Sequence, residues 1–460
     1  MTVTEEFKNS FYDGIFANMF ATLTGGVFLT GFALYLGMNE FTIGLLGSIP
    51  FMVTVFQLPT SYFIRRSSRT KSVSYFAAAL ARLTWIAILI GALVPVATTS
   101  IKHFVILSLI FVSHTFVSVS YVAWLSWTSD LVPDGIRGRF FGTRNMLCGA
   151  AGMIVIIVYG NLLDLLKLRP HGLTFGFAFT FVSAVLFGML SLRYLNRIPE
   201  AQVNPVIDNG PFYRHFSLPL REANFRRFLL FTFLWSFSIY TASPFFTLYF
   251  LRDLEFSYGF VAVLAMISSF ADLIGMQLWG KISDRVKNKA VIQLAGWVAV
   301  FLPLAWTIVR PGSLLMPILL HVVGGGFWAG INLCMNNLLL RISPQENRTM
   351  FLSAYNITGG LGAATGPILA GLAVKSATNL SLQFFSWTVF PLQVIFVTST
   401  LFRLLSLQLF KYVHEPEEVT VGQVVRILRS VRGLNMANGF NYLLHPFLEI
   451  SKNESESEGR

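Results

Sequence analysis

The stretch YGFVAVLAMISSFADLIGMQLWGKISDRVKNK (258–289) joins an apolar segment to a charged one, and this contrast decides the fold. Residues 258 to 279 contain one charged side chain, that of Asp272, whereas residues 280 to 289 contain five. A helix needs about 20 mostly apolar residues to cross the ~30 Å hydrocarbon layer, so the first segment is long enough to span a membrane. The second segment, which opens at Gly280, is predicted to be a water-exposed hairpin at the end of that span.

The composition of the whole chain agrees with a membrane protein. Of the 460 residues, 54% are hydrophobic and 12% are charged, against about 45–50% and about 25% in an average soluble domain. The net charge is +12, but Lys and Arg lie in short breaks between apolar runs, which argues against a nucleic-acid partner. Cys148 and Cys334 lie in apolar segments without a CxxC motif, so no disulfide framework, metal site or cofactor is predicted.

Twelve segments qualify as membrane spans. They are expected to be helices, because open sheet edges leave backbone groups unpaired in lipid. They cover about residues 12–36, 41–63, 73–94, 103–127, 140–163, 173–195, 227–251, 257–279, 290–309, 314–340, 349–374 and 383–410. The sequence therefore predicts an all-α membrane protein with twelve transmembrane helices.

The distribution of Lys and Arg between the loops predicts the orientation. The loops after spans 2, 4, 6, 8 and 10 carry nineteen of these residues, and the loops on the opposite side carry six. Because cationic loops stay in the cytoplasm, both termini are predicted to be cytoplasmic.

The longest polar interruption between spans divides them six and six. We expect four units: an N-terminal six-helix bundle (1–195), a cytoplasmic linker (196–224), a C-terminal six-helix bundle (225–412), and a cytoplasmic tail with a short amphipathic helix (413–460). The halves also repeat, since PDGIRGRFFGTRNMLCGAAG (133–152) aligns with PQENRTMFLSAYNITGGLGA (344–363) at a shift of 211 residues. Parallel duplicated halves are a known plan for transporters.

With twelve spans, a six plus six division and the segment GKISDRVKNK (280–289), the chain resembles the major facilitator superfamily. The signature hairpin of that family has a Gly, an Asp-Arg pair four residues later and then basic residues, which matches Gly280, Asp284 and Arg285. The corresponding hairpin of the first half, SYFIRRSSRTK (61–71), keeps the cations but has no Asp. The resemblance implies two pseudo-symmetric bundles in the plasma or inner membrane and a small-molecule substrate.

The resemblance also implies contacts between the bundles. It places span 8 against span 5, so we expect Asp284 to face residues 137–144, which include Arg137 and Arg144. An Asp gains about 0.3–2 kcal/mol from a helix N-terminus or an arginine, which is weak enough to break in each transport cycle. The alternative is that these charges are solvated and only fix the orientation.

Charged residues inside spans are functional candidates, because inserting each one costs about 2.5–3.5 kcal/mol. Asp272 lies eight residues before Gly280, about 12 Å along the helix, and Arg144 is placed similarly in span 5. We predict that Asp272 pairs with Arg144 across the bundle interface when the site faces outward. Two alternatives are a static or protonated Asp272 and a proton-coupling carboxylate. For Arg82, in span 3, pairing with Asp13 or nearby carbonyls is expected rather than substrate contact.

In the family, spans 1, 4, 7 and 10 line the central cavity. The substrate-binding residues predicted on these spans are Asn18, Thr22, His114, Tyr121, Trp124, Tyr240, Thr241, Trp328, Asn332 and Asn336. The alternative is that the aromatic residues among them only pack. A lining of Trp, Tyr and neutral amides with scarcely any fixed charge favours a neutral or amphipathic solute. In span 11, Gly362 and Gly366 form a GxxxG pattern, which predicts close helix contact.

The leading hypothesis is a secondary transporter that works by alternating access. The sequence has no GxxxxGK[ST] phosphate loop, so an ion gradient or the solute's own gradient would drive transport. Protons are the candidate coupling ion because of Asp272, His114 and His321. Import as a permease and efflux are both open, and a monomer surrounded by membrane lipids is expected. Two other classes compete: a protein that binds or delivers a lipid or pigment without net transport, and an integral membrane enzyme, which the scattered carboxylates, His and Cys do not favour.

Overall fold

The computed structural model of the chain describes residues 7–67, 69–93, 98–200, 218–346, 348–377, 382–384, 387–389 and 391–416. In these residues twelve helices are long and apolar enough to cross a membrane. The predicted all-helical membrane fold with twelve spans is thereby confirmed. Residues 201–217 of the predicted linker and the predicted amphipathic helix of the tail lie outside the described residues.

The first half contains six spans, which we number in chain order. They are α1 (Lys8–Leu23 and Gly26–Tyr35), α2 (Glu40–Met52, a 3₁₀ turn Val53–Phe56 and Gln57–Ser67), α3 (Thr70–Leu93), α4 (Thr99–Leu131), α5 (Asp134–Lys167) and α6 (Gly172–Arg197). We call them the N bundle.

The second half, the C bundle, begins with a single helical turn, Leu218–Arg221. Its spans are α7 (Ala223–Leu248, extended by a π-helical turn Tyr249–Asp253), α8 (Tyr258–Val286), α9 (Asn288–Trp306), α10 (Leu315–Ile342), α11 (Arg348–Ala377) and α12 (Pro391–Phe410). Between α11 and α12 two short antiparallel strands, β1 (Leu382–Phe384) and β2 (Trp387–Val389), pair with Leu382 opposite Val389. The twelfth span therefore starts later than the predicted residue 383, at Pro391, and proline is favoured at a first helical position.

Helix α1 is broken near its middle, which the sequence analysis did not predict. Thr24 ends the first segment, and its hydroxyl donates to the Phe20 carbonyl at 2.8 Å. Gly25 is extended and Gly26 has a φ of +49°. This left-handed conformation favours glycine because a side chain would be strained there. The two segments of α1 are consequently joined by a short non-helical stretch inside the bundle.

The two bundles repeat the same helix contacts. In the N bundle α1 packs on α5 and α6, and α3 packs on α4 and α6. In the C bundle α7 packs on α11 and α12, and α9 packs on α10 and α12, which is the same pattern six helices later. Between bundles α2 packs on α11 and α5 packs on α8, two contacts that this shift exchanges. The pattern is that of two pseudo-symmetric halves.

The apolar core shows that the bundles meet at one end. At the end that holds residues 36–39 and 254–257, one continuous core contains Phe28 and Phe181 of the N bundle together with Phe245 and Tyr249 of the C bundle. At the opposite end the cores are separate. One contains Phe225, Phe228 and Trp235, and others contain Trp127 and Leu192, and Phe7 and Phe140. We call the first end the joined end and the second the open end.

A row of glycines on α5 also shows that the bundles touch at the joined end and separate toward the open end. Gly135, Gly138, Gly142, Gly149 and Gly160 lie on one face of the helix, since their spacings are close to whole turns. A Cβ added at Gly160 would lie 3.1 Å from the Tyr258 carbonyl oxygen on α8. A Cβ added at any of the other four would meet no atom within 4 Å. Helices α5 and α8 therefore touch at the joined end and separate toward the open end.

Candidate functional site

A cavity of about 270 Å³ lies inside the N bundle. Three of the predicted binding residues, His114, Tyr121 and Trp124, line it from α4. Asp13, Arg82 and Arg144 also line this N-bundle cavity, from α1, α3 and α5. The expectation of a lining with scarcely any fixed charge is thus wrong for this bundle, because charged side chains on three different helices converge there.

These charges form one network of hydrogen bonds and an ion pair. Arg82 Nη2 donates to Ser191 Oγ at 2.8 Å, and Ser191 Oγ donates to Asp13 Oδ1 at 2.6 Å. The other carboxylate oxygen of Asp13 lies 3.6 Å from Arg144 Nη2. The guanidinium of Arg144 lies 4.1 Å from the centre of the Trp124 ring. Arg82 and Asp13 are therefore linked, as the sequence analysis expected, but through Ser191 and not directly.

Burial makes this network costly to break. Asp13 is 3% exposed and Arg82 is 6% exposed. A buried charge is tolerated only when it is paired and hydrogen-bonded. The shared carboxylate of Asp13 serves two arginines, so a change of its protonation or position would leave both of them without their acidic partner. The network joins α1, α3, α5 and α6 into one electrostatic unit.

A larger cavity, of about 600 Å³, lies in the C bundle. The predicted residues Tyr240, Trp328, Asn332 and Asn336 line it from α7 and α10. The lining also contains residues that were not predicted from the sequence, among them Trp235, Ser236, Tyr355 and Arg403. Tyr240 also lies 4.3 Å, ring centre to ring centre, from Phe51 on α2. The C-bundle cavity therefore adjoins the interface with the N bundle at the middle of the spans.

Arg403 is the ionisable cation of this cavity, and it is 3% exposed. Its Nη1 donates to the Ala299 carbonyl on α9 at 2.7 Å, and its guanidinium lies 5.8 Å from the Trp328 ring centre. Its Nε is buried without a partner. A signal was present in the sequence: Arg403 is the one charged residue of the apolar span 391–410, and such residues are functional candidates by default.

Three predicted binding residues pack between helices instead of lining either cavity. Asn18 Nδ2 donates to the Cys148 carbonyl on α5 at 2.6 Å, and Thr22 lies against Gly152 of the same helix. Thr241 is buried, and its hydroxyl donates to the Phe237 carbonyl at 2.7 Å. Asn18 and Thr241 therefore satisfy backbone carbonyls, and all three side chains lie within helix contacts.

The GxxxG pattern of α11 also serves helix packing. A Cβ at Gly362 would meet the Phe233 carbonyl, and one at Gly366 would lie 2.6 Å from the Phe237 carbonyl, both on α7. The glycines therefore let α11 lie directly on the backbone of α7, as small residues do in membrane bundles.

The predicted Asp272–Arg144 pair is not formed in this conformation, since Arg144 contacts Asp13. Helical geometry gives the reason. At 100° per residue, Arg144 lies about 160° from Gly142 and Asp272 lies about 140° from Gly259, so both point away from the face on which α5 and α8 meet. The pair was predicted for the opposite conformation and stays a prediction, one that requires both helices to rotate.

The predicted gating residues at the open end are the hairpin residues Gly280, Asp284 and Arg285 and the expected partner of Asp284, Arg137. Asp284 is exposed at the open end, on the α5-facing side of α8 by helical spacing. Arg137 Nη2 donates to the Ser129 carbonyl at 2.8 Å, which satisfies the end of α4. A Cβ added at Gly280 would lie 3.8 Å from the side chain of Leu333 on α10. The side chain of Arg285 lies outside the described residues. The contact of Asp284 with α5 stays a prediction.

A carboxylate does cap a helix of the other bundle, but at the joined end. Asp164 of α5 accepts from the backbone N–H groups of Tyr258 and Gly259, at 2.8 and 2.7 Å, at the start of α8. Arg252 Nη1 also contacts Glu40 of the N bundle at 2.6 Å. We call the Asp164 contact the joined-end latch. It has the chemistry predicted for Asp284, an acid on a helix N-terminus, which binds anions through its free N–H groups.

No metal site is indicated in the part of the chain that the structure describes, where no group of three or more His, Cys, Asp or Glu is placed to hold an ion.

Comparisons with known proteins place this architecture. The family profile of the Major Facilitator Superfamily matches residues 14–367 and 228–447. A search of curated protein sequences found no match. Among solved structures, the nucleoside transporter NupG has a TM-score of 0.64 at 14% identity, covering 90% of this chain and 99% of NupG.

Two further structures were solved with their sites facing inward. The xylose transporter XylE from E. coli, in an inward open conformation, has a TM-score of 0.61 at 13% identity and covers 91% of this chain and 98% of its own. A bacterial homologue of the iron transporter ferroportin, inward-facing, has a TM-score of 0.66 at 11% identity. The match covers 90% of this chain and 100% of the homologue. These identities establish likeness of fold alone. Since the family profile extends over most of the chain and the twelve spans form two matching bundles, this multi-pass integral membrane protein belongs to the major facilitator superfamily of transporters, whose usual location is the inner or plasma membrane.

Proposed function

We propose that this protein is a secondary transporter that moves a small amphipathic solute across the membrane by alternating access. The observation that carries this proposal is the divergence of α5 and α8. They touch at Gly160 and leave open space at Gly149, Gly142 and Gly138. With the predicted orientation, the cavities then face the cytoplasm, and closure of the open end would turn them to the other side.

The contacts at the joined end support a reversible closure. The joined-end latch, the Arg252–Glu40 pair and the close approach of Gly160 to α8 are separate contacts, each comparable to the about 0.5–3 kcal/mol of one hydrogen bond or ion pair. Contacts of this size hold one conformation without fixing it. The C-bundle cavity supplies the site, because its Trp and Tyr side chains offer apolar surface and its Asn side chains offer hydrogen bonds.

The experiment is uptake and counterflow in liposomes that contain only this purified protein. Solutes are first selected by their stabilisation of the protein against heat, and each is then tested with and without an imposed pH gradient. We expect a stabilising solute to exchange across the bilayer, with acceleration by the pH gradient if protons are coupled. A solute that binds and never crosses would contradict the transporter and favour the competing function, binding or delivery of a lipid or pigment.

A further inference from the structure

We propose that the C-bundle cavity binds the carboxylate of an amphipathic monoanion and that Arg403 is its cationic partner. This assignment rests on the proposed function and names the substrate class of the same site. The sequence predicted a neutral or amphipathic solute from a lining with scarcely any fixed charge; the proposal keeps the amphipathic solute and replaces the neutral one.

The guanidinium of Arg403 is incompletely paired. A guanidinium has five N–H donors. Within the described chain its one hydrogen bond goes to the Ala299 carbonyl, which is neutral. The Trp328 ring at 5.8 Å adds a cation–π contact, but it leaves Nε unpartnered. A cation that is 3% exposed and has no carboxylate of the described residues beside it is an arrangement that proteins normally avoid.

The other bundle provides the contrast. There two arginines, Arg82 and Arg144, share the carboxylate of Asp13 within one network. In the C bundle Arg403 likewise lies between a neighbouring helix, α9, and an aromatic ring, that of Trp328, yet no Asp or Glu among the described residues pairs with it. The missing partner of Arg403 is therefore expected from outside the chain, in the cavity that its side chain lines.

The rest of the lining defines the solute. Arg403 is the only Lys, Arg, Asp or Glu among the described residues that line this cavity, so one negative charge balances it, which fits a carboxylate better than a phosphate ester with nearly two charges. Trp235 and Trp328, whose ring centres lie 6.0 Å apart, favour an apolar or aromatic body. Asn332 and Asn336 can hydrogen-bond a neutral polar group. A volume of about 600 Å³ accommodates such a molecule and exceeds the need of a halide.

The test compares acids with amides of the same shape. The full-length protein in detergent or nanodiscs is titrated with phenylacetate against phenylacetamide, and with hexanoate against hexanamide, within a library of such pairs. Binding is followed by thermal stabilisation and by the fluorescence of the cavity tryptophans. We expect at least one acid to bind about 10- to 100-fold more tightly than its amide, the factor for a hydrogen bond to a charged group. The absence of any acid preferred over its amide would overturn the proposal.

Variants assign the preference to the residue. Arg403→Gln should remove the difference between acid and amide, Arg403→Lys should keep part of it, and Arg197→Gln, which removes an exposed arginine of α6, should leave it unchanged. Persistence of the preference in Arg403→Gln would overturn the assignment. If Arg403→Gln does not fold, the wild-type comparison and Arg403→Lys still decide.

Liposome counterflow separates this proposal from the transporter itself. An acid that binds through Arg403 but does not cross would refute transport and keep the anion site. An acid that crosses at wild-type rates in Arg403→Gln would keep transport and refute the anion site.

Discussion

Ser191 is the residue on which the charge network of the N bundle depends, because its hydroxyl both accepts from Arg82 and donates to Asp13. We predict that Ser191→Ala lowers the free energy of unfolding by about 1–3 kcal/mol, the cost of leaving buried charged groups short of a hydrogen-bond partner. Reversible unfolding in mixed micelles measures the change. Ser183→Ala is the control, since Ser183 is buried on the same helix and makes no side-chain hydrogen bond to the described residues. Equal loss in both variants would contradict the prediction.

At this scale the sequence predicted residue types better than residue directions. Seven of the predicted binding residues line cavities: His114, Tyr121, Trp124, Tyr240, Trp328, Asn332 and Asn336. Polar side chains on these spans are rarely tolerated facing lipid. Asn18 and Thr241 pack instead, since their orientation depends on the glycines of neighbouring helices, Gly152 and Gly366. Such contacts depend on tertiary packing and cannot be read from one helix. Arg403 was missed although its charge inside an apolar span was visible.

At the scale of elements, the glycine row of α5 is predicted to be the surface that closes against α8. Gly142→Leu should obstruct this closure at a cost of about 1–3 kcal/mol for overpacking. The population of the conformation in which α5 and α8 meet at the open end should then fall about 5- to 150-fold. Spin labels at positions 139 and 281, both exposed at that end, report the distance. We expect the shorter distance to disappear in Gly142→Leu and to persist in Gly91→Leu, where α3 has space beside it. An unchanged distribution in Gly142→Leu would refute closure on this face.

The joined-end latch gives a second prediction for the same pair of helices. Asp164→Asn keeps one acceptor but sets an NH₂ group against a backbone N–H of α8, so the contact should weaken by about 1–2 kcal/mol. The distance between labels at positions 169 and 255, both exposed, should then show a longer component. Lys167→Gln, at the exposed end of the same helix, is the control. If Asp164→Asn retains only the short distance, the latch does not hold this end.

Elements were the level at which sequence reasoning was strongest. All twelve spans were predicted, because the length of an apolar run is set by the thickness of the bilayer. The break of α1 was not, since neither Thr24 nor the two glycines after it interrupt the apolar pattern. Helix ends were also misplaced where charged residues continue a helix beyond the membrane, as in α5, which begins at Asp134 and not near residue 140.

For the whole molecule, the loop charges predict that both termini are cytoplasmic. Cysteines added at each end, on a background without Cys148 and Cys334, should react with a membrane-impermeant maleimide only after the cells are permeabilised. Labelling of intact cells at either end would contradict the orientation and, with it, the assignment of the open end to the cytoplasm.

The break in α1 separates the segment that contacts the C bundle from the segment that carries the buried Asp13. The segment after it carries Gly31, which lies against the ring of Tyr258 in the C bundle. The segment before it carries Asp13. A continuous rod would act as a lever and turn any tilt at the joined end into a displacement of this carboxylate. We expect the break at Gly25 and Gly26 to absorb the rotation instead, so that the joined-end third of the span follows the neighbouring bundle while the buried ions keep their separations.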